Sequence, residues 1–259
     1  MTVPPIGGKF PGMTLREFHK LFKAPGPVVL PVIHALDAGQ VPENIRILVG
    51  EGAPGCFLIN HDFGVDEFLP IVREVRTAWP SLWMGVNFLA VTGRDAFPIL
   101  GDLAKTGCPI DAYWADNARI DETGKDASEA RQIADVRAAS GWSGLYFGGT
   151  AFKKQRHVNP AHWQDAAREA VSFMDVVTTS GLATGKEADL QKVRQFRAGI
   201  GDAPLALASG VTPENARRYA DVDAFLVATG INRSGDFYNI DPARLAQLMR
   251  VAWEIGSHG

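Results

Sequence analysis

The sequence predicts a single (β/α)₈ barrel, and three observations lead to this fold class. Eight short apolar runs alternate strictly with eight helix-like stretches. The length of 259 residues is close to the about 250 residues common for such barrels. The apolar runs are rich in Val, Ile, Leu and Phe, as strands buried on both faces are. An open doubly wound sheet usually has fewer strands, so the count favours a closed barrel.

The order of the elements follows from hydrophobic runs and helix start signals. Strands are predicted at 28–33, 55–59, 83–89, 110–115, 143–147, 174–177, 205–207 and 224–227. Helices are predicted at 42–49, 66–78, 95–105, 127–139, 160–171, 187–197, 213–219 and 242–254. Thr212-Pro213 and Asp241-Pro242 are cap-then-proline helix starts. No linker interrupts this alternation, so residues 1–259 are predicted to form one domain.

Residues 1–26 are predicted to be an N-terminal extension that contains a short helix. Thr14 and Glu17 have the spacing of a capping box. The helix would either close the bottom of the barrel or pack on a partner subunit. Two apolar helix faces together predict a homo-oligomer. They consist of Leu15, Phe18, Leu21 and Phe22 near the start and of Leu245, Leu248, Val251 and Trp253 near the end.

Composition excludes several classes of protein. Hydrophobic residues make up 46% and charged residues 21%, which predicts a large core and argues against disorder. The net charge of −3 includes no run of like charge, so no nucleic-acid partner is expected. No apolar run reaches the about 18 residues of a membrane span, and no signal peptide is evident. A cytoplasmic protein without integral membrane association is therefore expected, with Cys56 and Cys108 as reduced thiols.

Three turns in the last third of the chain predict a phosphate site. Small polar residues and glycines at 180–185, 208–212 and 228–232 each follow a predicted strand. Strand, glycine-rich turn and helix together point backbone N–H groups at an anion. The predicted ligand-binding residues are Ser180, Thr184, Gly185, Ser209, Gly210, Thr229 and Gly230. Two alternatives stay open, since the glycines could serve only tight turns and the turn at 180–185 could be a mobile lid.

Polar residues at the ends of other predicted strands are the candidates for catalysis. Active groups of such barrels lie at the C-terminal ends of the strands. Asp116 follows an apolar strand, where a carboxylate can have a raised pKa and act as general acid or base. Asn87 and His34 would orient the reacting end of the substrate. The alternatives are a helix cap or ion pair for Asp116, a satisfied core amide for Asn87 and a packed histidine for His34.

No cofactor is predicted. Flavin and nicotinamide motifs are absent, and no glycine-rich Rossmann fingerprint is present. Asn60-His61-Asp62 leaves a divalent metal open as a minor alternative, although no HExxH or His-x-His spacing accompanies it. Lys153 and Lys154 are interpreted as a solvated pair in the fifth loop, with phosphate contact or Schiff-base formation as the alternatives.

Several of these motifs, in this order, resemble the BtpA/SgcQ family over nearly the whole chain. They are 31–34, 85–87, 180–185, 208–215 and 239–241. That family is similar to ribulose-phosphate-binding barrels, and it includes proteins linked to photosystem I accumulation and others from sugar-utilisation gene sets. The residues after His34 and the turn at 60–62 depart from the usual family pattern, which implies a different substrate.

Taken together, the motifs and the resemblance predict a small phosphorylated ligand and favour an enzyme. The substrate would be a phosphosugar, a nucleotide or a phosphoribosyl compound, and the reaction an isomerisation, a lyase reaction or glycosidic-bond hydrolysis. The alternative is a non-catalytic assembly or regulatory factor that binds a phosphometabolite. Fold alone does not separate the two, because such barrels host unrelated functions.

Overall fold

A computed structural model describes residues 12–37, 39–183 and 185–257, and the strands close into a barrel. Each strand pairs in parallel with the next along the chain, and the last pairs with the first. The strands are β1 (Val28–Ala35), β2 (Gly55–Asn60), β3 (Trp83–Asn87), β4 (Ala112–Ala115), β5 (Leu145–Gly149), β6 (Val176–Thr179), β7 (Leu205–Leu207) and β8 (Ala224–Val227). The predicted (β/α)₈ barrel is confirmed.

Helices cover the outside of the barrel, with one correction. They are α1 (Leu15–Phe22), α2 (Gln40–Gly50), α3 (Val65–Ala78), α4 (Gly93–Lys105), α5 (Ser128–Ser140), α6 (Trp163–Ala170), α7 (Leu190–Ile200) and α8 (Pro242–Ser257). The helix predicted at 213–219 is wrong, because only a 3₁₀ turn, Ala216–Tyr219, follows β7. Asn215 explains this, since its side chain binds the backbone of Thr212 and Gly210 and so competes with helix formation. A second 3₁₀ turn, Pro160–His162, precedes α6.

Helix α1 closes the N-terminal end of the barrel. Its Thr14–Glu17 capping box is formed as predicted. Phe18 is fully buried, with its ring centroid 5.0 Å from that of Phe22 and 6.4 Å from that of Phe147. The apolar face of α1 is therefore used inside the molecule.

The two apolar faces behind the predicted homo-oligomer are largely covered. Leu245 and Leu248 are buried against the barrel, as Phe18 is at the other face. The large apolar side chains of these faces that remain exposed are Leu21, at 46%, and Trp253, at 61%. Since an isolated exposed apolar side chain is ordinary, the structure weakens the argument, and the oligomer stays a prediction.

The N-terminal ends of the later strands are held by an Arg–Asp clamp that occurs three times. In the first, Asp111 just before β4 binds Arg76 of α3, at 2.6 Å, and the Met84 N–H of β3, at 2.8 Å. Asp175 joins Arg137 to the Tyr146 N–H in the same way. The third copy consists of Asp223, Arg197 and the Leu205 N–H. Each clamp ties one helix to two neighbouring strands.

No helix in the described ranges is long and apolar enough to cross a bilayer. Residues 1–11, the first part of the predicted extension, lie outside the described part of the chain, as do 38, 184, 258 and 259.

Candidate active site

The three predicted catalytic residues lie at the C-terminal ends of their strands. His34 is the penultimate residue of β1, Asn87 is the last residue of β3, and Asp116 directly follows β4. Because the strands are parallel and the barrel is closed, these ends share one mouth. The sequence placed them correctly; their roles stay predictions.

Asp116 and Asn87 form a hydrogen-bonded pair. Asn87 is fully buried, and its Nδ2 donates to Oδ1 of Asp116 at 3.1 Å. Burial raises the pKa of Asp116, while the bond from Asn87 and the charges of Lys153 and Lys154 oppose the rise. The buried Oδ1 of Asn87 has no hydrogen-bond partner within the described residues. Asn87 can therefore accept a hydrogen bond from a ligand, and the raised pKa of Asp116 beside it suits proton transfer.

His34 is held as a neutral ring. Its Nδ1 lies 2.9 Å from the carbonyl oxygen of Phe237, which can only accept, so Nδ1 carries the proton and Nε2 is left as an acceptor. The ring stacks on Phe237 at 3.8 Å and meets His61 edge-on at 4.6 Å. Burial and the nearby His61 lower the pKa of His34 to about 4, against the opposing effect of the Phe237 bond.

The neutral state of His34 should make stability depend on pH. In the unfolded chain this group takes up a proton below its usual pKa of 6.5, but in the fold only near pH 4. Stability is then complete above pH 6.5 and falls as the pH drops toward 4, by about 3 kcal/mol. His34→Asn keeps a donor for Phe237 and should lose most of this dependence, as urea unfolding at both ends of the range would show. The exposed His157→Asn is the control, and identical curves for wild type and His34→Asn would contradict the assignment.

Residues of the predicted phosphate turns line one small cleft at the mouth. It includes Gly185 and the backbone of 208–211 and 226–230, together with His34 and Lys153. Among the described residues, the N–H groups of Gly210 and Gly230 donate no intramolecular hydrogen bond. None of the described residues that line this cleft is a carboxylate. Free backbone N–H donors at glycine-rich turns form an anion-binding environment.

The glycines also have a purely structural reason. A Cβ on Gly210, whose φ is +70°, would lie 2.1 Å from the carbonyl oxygen of Lys186. A Cβ on Gly230 would lie 1.9 Å from that of Val211. The turns after β6, β7 and β8 thus approach one another too closely for any side chain, whether or not a ligand binds there.

Ser180 and Ser209 are tied into the protein rather than free. The Ser180 hydroxyl is fully buried, accepts from the Lys153 N–H at 2.7 Å and donates to the carbonyl of Gly181 at 2.9 Å. The Gly181 N–H donates to Oγ of Ser209 at 3.0 Å, which leaves the Ser209 proton for a ligand. Ser180 therefore supports the loops, and Thr184 lies outside the described residues.

Lys153 differs from Lys154 in its surroundings, although the sequence favours a solvated pair. Lys154 is exposed, as that interpretation requires. Lys153, however, is half-buried and lines the cleft, with Nζ 5.6 Å from the centre of the Phe152 ring. Burial lowers the pKa of its amine, which the charge of Asp116 partly offsets and that of Lys154 reinforces. Its position directly after an apolar Phe was the signal available in the sequence.

The turn at 60–62 is used for loop structure. Asn60 donates to the Phe63 carbonyl at 2.7 Å and accepts from the Leu89 N–H at 3.0 Å. Asp62 accepts from the Tyr238 hydroxyl at 2.8 Å. The described residues contain no group of three or more His, Cys, Asp or Glu arranged to hold a metal ion.

The strand order defines a (β/α)₈-barrel protein, and its candidate site lies at the C-terminal mouth of the strands. The BtpA family model matches residues 146–254, which run from β5 to α8. The resemblance to the BtpA family is therefore confirmed over this part of the chain. A search of curated proteins returned no match.

Solved structures share the whole barrel. The (S)-3-O-geranylgeranylglyceryl phosphate synthase of Thermoplasma acidophilum is 14% identical, with 93% of this chain and 99% of that chain covered and a TM-score of 0.64. The tryptophan synthase alpha chain of Legionella pneumophila is 15% identical, with 95% and 100% covered and a TM-score of 0.62. A phosphoribosylanthranilate isomerase of Thermotoga maritima is 17% identical, with 87% and 98% covered and a TM-score of 0.57. At these identities the likeness shows the fold.

Proposed function

We propose that this protein is an enzyme that acts on a small phosphorylated metabolite. The phosphate would bind at the free backbone N–H groups of Gly210 and Gly230, with the hydroxyls of Ser209 and Thr229 at the rim. The single observation that carries the proposal is a cleft with these donors, His34 and Lys153, and with no carboxylate among the described residues of its lining. Such a cleft attracts anions.

The neighbours in fold give independent support for the ligand class. Two of the similar structures carry a phosphate ester in their names, the geranylgeranylglyceryl phosphate synthase and the phosphoribosylanthranilate isomerase, and the former contains sn-glycerol-1-phosphate. Barrels of this class often hold phosphate in the loops after strands 7 and 8. The corresponding loops here are those with Gly210 and Gly230.

Chemistry is assigned to the polar residues at the ends of β1, β3 and β4. Asp116, oriented by Asn87, would move a proton, because its raised pKa lies nearer to neutral pH than that of an ordinary carboxyl. His34 would accept a hydrogen bond from the substrate through Nε2. Isomerisation, lyase chemistry and glycosidic-bond hydrolysis all use such groups, so the reaction type is left open.

Thr229 offers a clean test of the phosphate site, since its side chain is exposed at the cleft. Thr229→Glu places a negative charge beside the bound anion, so affinity for phosphate esters should fall about tenfold or more. Thr229→Gln has a similar size without the charge and should bind nearly as wild type does. Calorimetry with inorganic phosphate, ribose 5-phosphate and a nucleoside monophosphate measures this.

Gly210→Asp would not serve this purpose. Its Cβ would collide with the Lys186 backbone, and loss of binding would then report a damaged loop. If Thr229→Glu and Thr229→Gln bind the esters equally well, the phosphate site is not at this cleft. If phosphate esters bind but no ester in the panel is converted, the non-catalytic regulatory factor replaces the enzyme.

A further inference from the structure

We propose that Lys153 is the catalytic nucleophile of this site and forms a Schiff base with a phosphorylated aldehyde or ketone. The inference rests on the proposed function for the position of the phosphate. It deepens that function by naming the substrate class, a carbonyl compound with a phosphate group a few atoms away.

The position of Lys153 is the first observation. It lies in the loop after β5 and shares the cleft with the turns at Gly210 and Gly230. A substrate with its phosphate on those turns would extend toward the Lys153 amine. The Phe152 ring lies against the amine and provides an apolar wall on one side. A solvent-facing lysine that only balances surface charge would need no such enclosure.

The construction of the loop is the second observation. Ala151, two residues before Lys153, and Lys154, directly after it, have φ angles of +46° and +58°, a region that is unfavourable for residues other than glycine. Two contacts hold this shape, from the Lys153 N–H to the buried Ser180 hydroxyl and from the buried Lys192 ammonium to the Ala151 carbonyl. Strain that the surroundings maintain is concentrated at functional sites.

The electrostatics favour the neutral amine that a nucleophile requires. Burial is the main reason that the pKa of Lys153 is lowered, and Lys154 adds to the effect. The charge of Asp116 raises the pKa of Lys153 and so partly offsets the effect of burial. The charge of the Lys153 amine in turn lowers the pKa of both His34 and His61. Lys192 is also buried, with a pKa lowered to about 8, but its ammonium donates to the carbonyls of Ala151 and Ser180 and is occupied as a support.

The step balances with the groups present. The neutral Lys153 amine attacks the carbonyl carbon, and a proton passes from the attacking nitrogen to the carbonyl oxygen to give a neutral carbinolamine. Asp116 in its protonated form then gives a proton to the leaving hydroxyl, which departs as water while the C=N bond forms. The iminium draws electrons from the neighbouring carbon, and the Asp116 carboxylate can take a proton there. Hydrolysis reverses the step and releases the amine.

Reductive trapping tests the proposal directly. Wild-type protein is incubated with glycolaldehyde phosphate and sodium cyanoborohydride, and the modified lysine is located by peptide mass spectrometry. The expected result is one adduct, on Lys153. Lys153→Arg keeps the charge and should abolish labelling, whereas Lys154→Arg should label as wild type does. Circular dichroism confirms that both variants fold.

Unphosphorylated glycolaldehyde separates this inference from the proposed function. Preferential labelling of Lys153 by the phosphorylated aldehyde supports both. Equal labelling of Lys153 by the two aldehydes supports the nucleophile and contradicts the phosphate site. Adducts spread over surface lysines, or unchanged in Lys153→Arg, overturn the nucleophile, and binding of phosphate esters in the same preparation would leave the phosphate site intact.

Discussion

Asp116→Asn is expected to reduce turnover about 10²–10⁴-fold while phosphate esters still bind with wild-type affinity. The carboxyl supplies proton transfer, which an amide does not. The amide oxygen can still accept the hydrogen bond that Asn87 donates at 3.1 Å, so the local structure should persist. Turnover of the ester that binds most tightly, followed by NMR, and its affinity by calorimetry give the two readouts.

Asp62→Asn is the matched control for this prediction. Asp62 is an exposed carboxylate at the same mouth, and its contact with the Tyr238 hydroxyl survives in the amide. Joint loss of binding and thermal stability in Asp116→Asn would identify Asp116 as a structural residue. Full activity in that variant would remove it from the mechanism and transfer the acid–base role to His34.

Asp223→Ala should lower the free energy of unfolding by about 3 kcal/mol, near the lower end of the range for a broken buried ion pair. Asp223 is 8% exposed and accepts from Arg197 and from the buried Leu205 N–H. Its removal leaves that N–H without a partner and takes away the counter-charge of Arg197. The partial exposure of Arg197 reduces the loss through screening. Urea unfolding measures the change.

Asp221→Ala provides the comparison, since Asp221 is exposed two residues earlier and contributes only its backbone carbonyl to Arg197. Its effect should stay within about 0.5 kcal/mol. A similar loss in both variants would mean that the clamp adds nothing beyond the loop itself.

The alternation of the sequence was enough to predict the barrel, because buried parallel strands and covering helices have distinct periodicities. The predictions were wrong at element boundaries, where hydrogen bonds of single side chains determine the residue at which a strand or helix begins. The strands predicted from residues 110 and 174 begin at Ala112 and Val176, since Asp111 and Asp175 before them are used in clamps. The helix after β7 failed for a similar reason, the bonds of Asn215 to nearby backbone.

The site could be predicted only as a set of positions. His34, Asn87 and Asp116 follow from the rule that polar groups end barrel strands. The enclosure of Lys153 and the supporting contact of Ser180 arise because the loop after β5 contacts the loop after β6. Contacts between residues so far apart in sequence leave no periodic trace, so neither feature could be predicted from the chain alone.

The threefold clamp divides the barrel into units of two strands. It recurs in β3–β4, β5–β6 and β7–β8, each time with arginine from the preceding helix and aspartate before the second strand. Within the described ranges β1–β2 has no such aspartate, and its strands, at eight and six residues, are the longest in the barrel. The barrel is therefore assembled from four strand pairs, of which three are fastened by an ion pair and the first by longer backbone pairing.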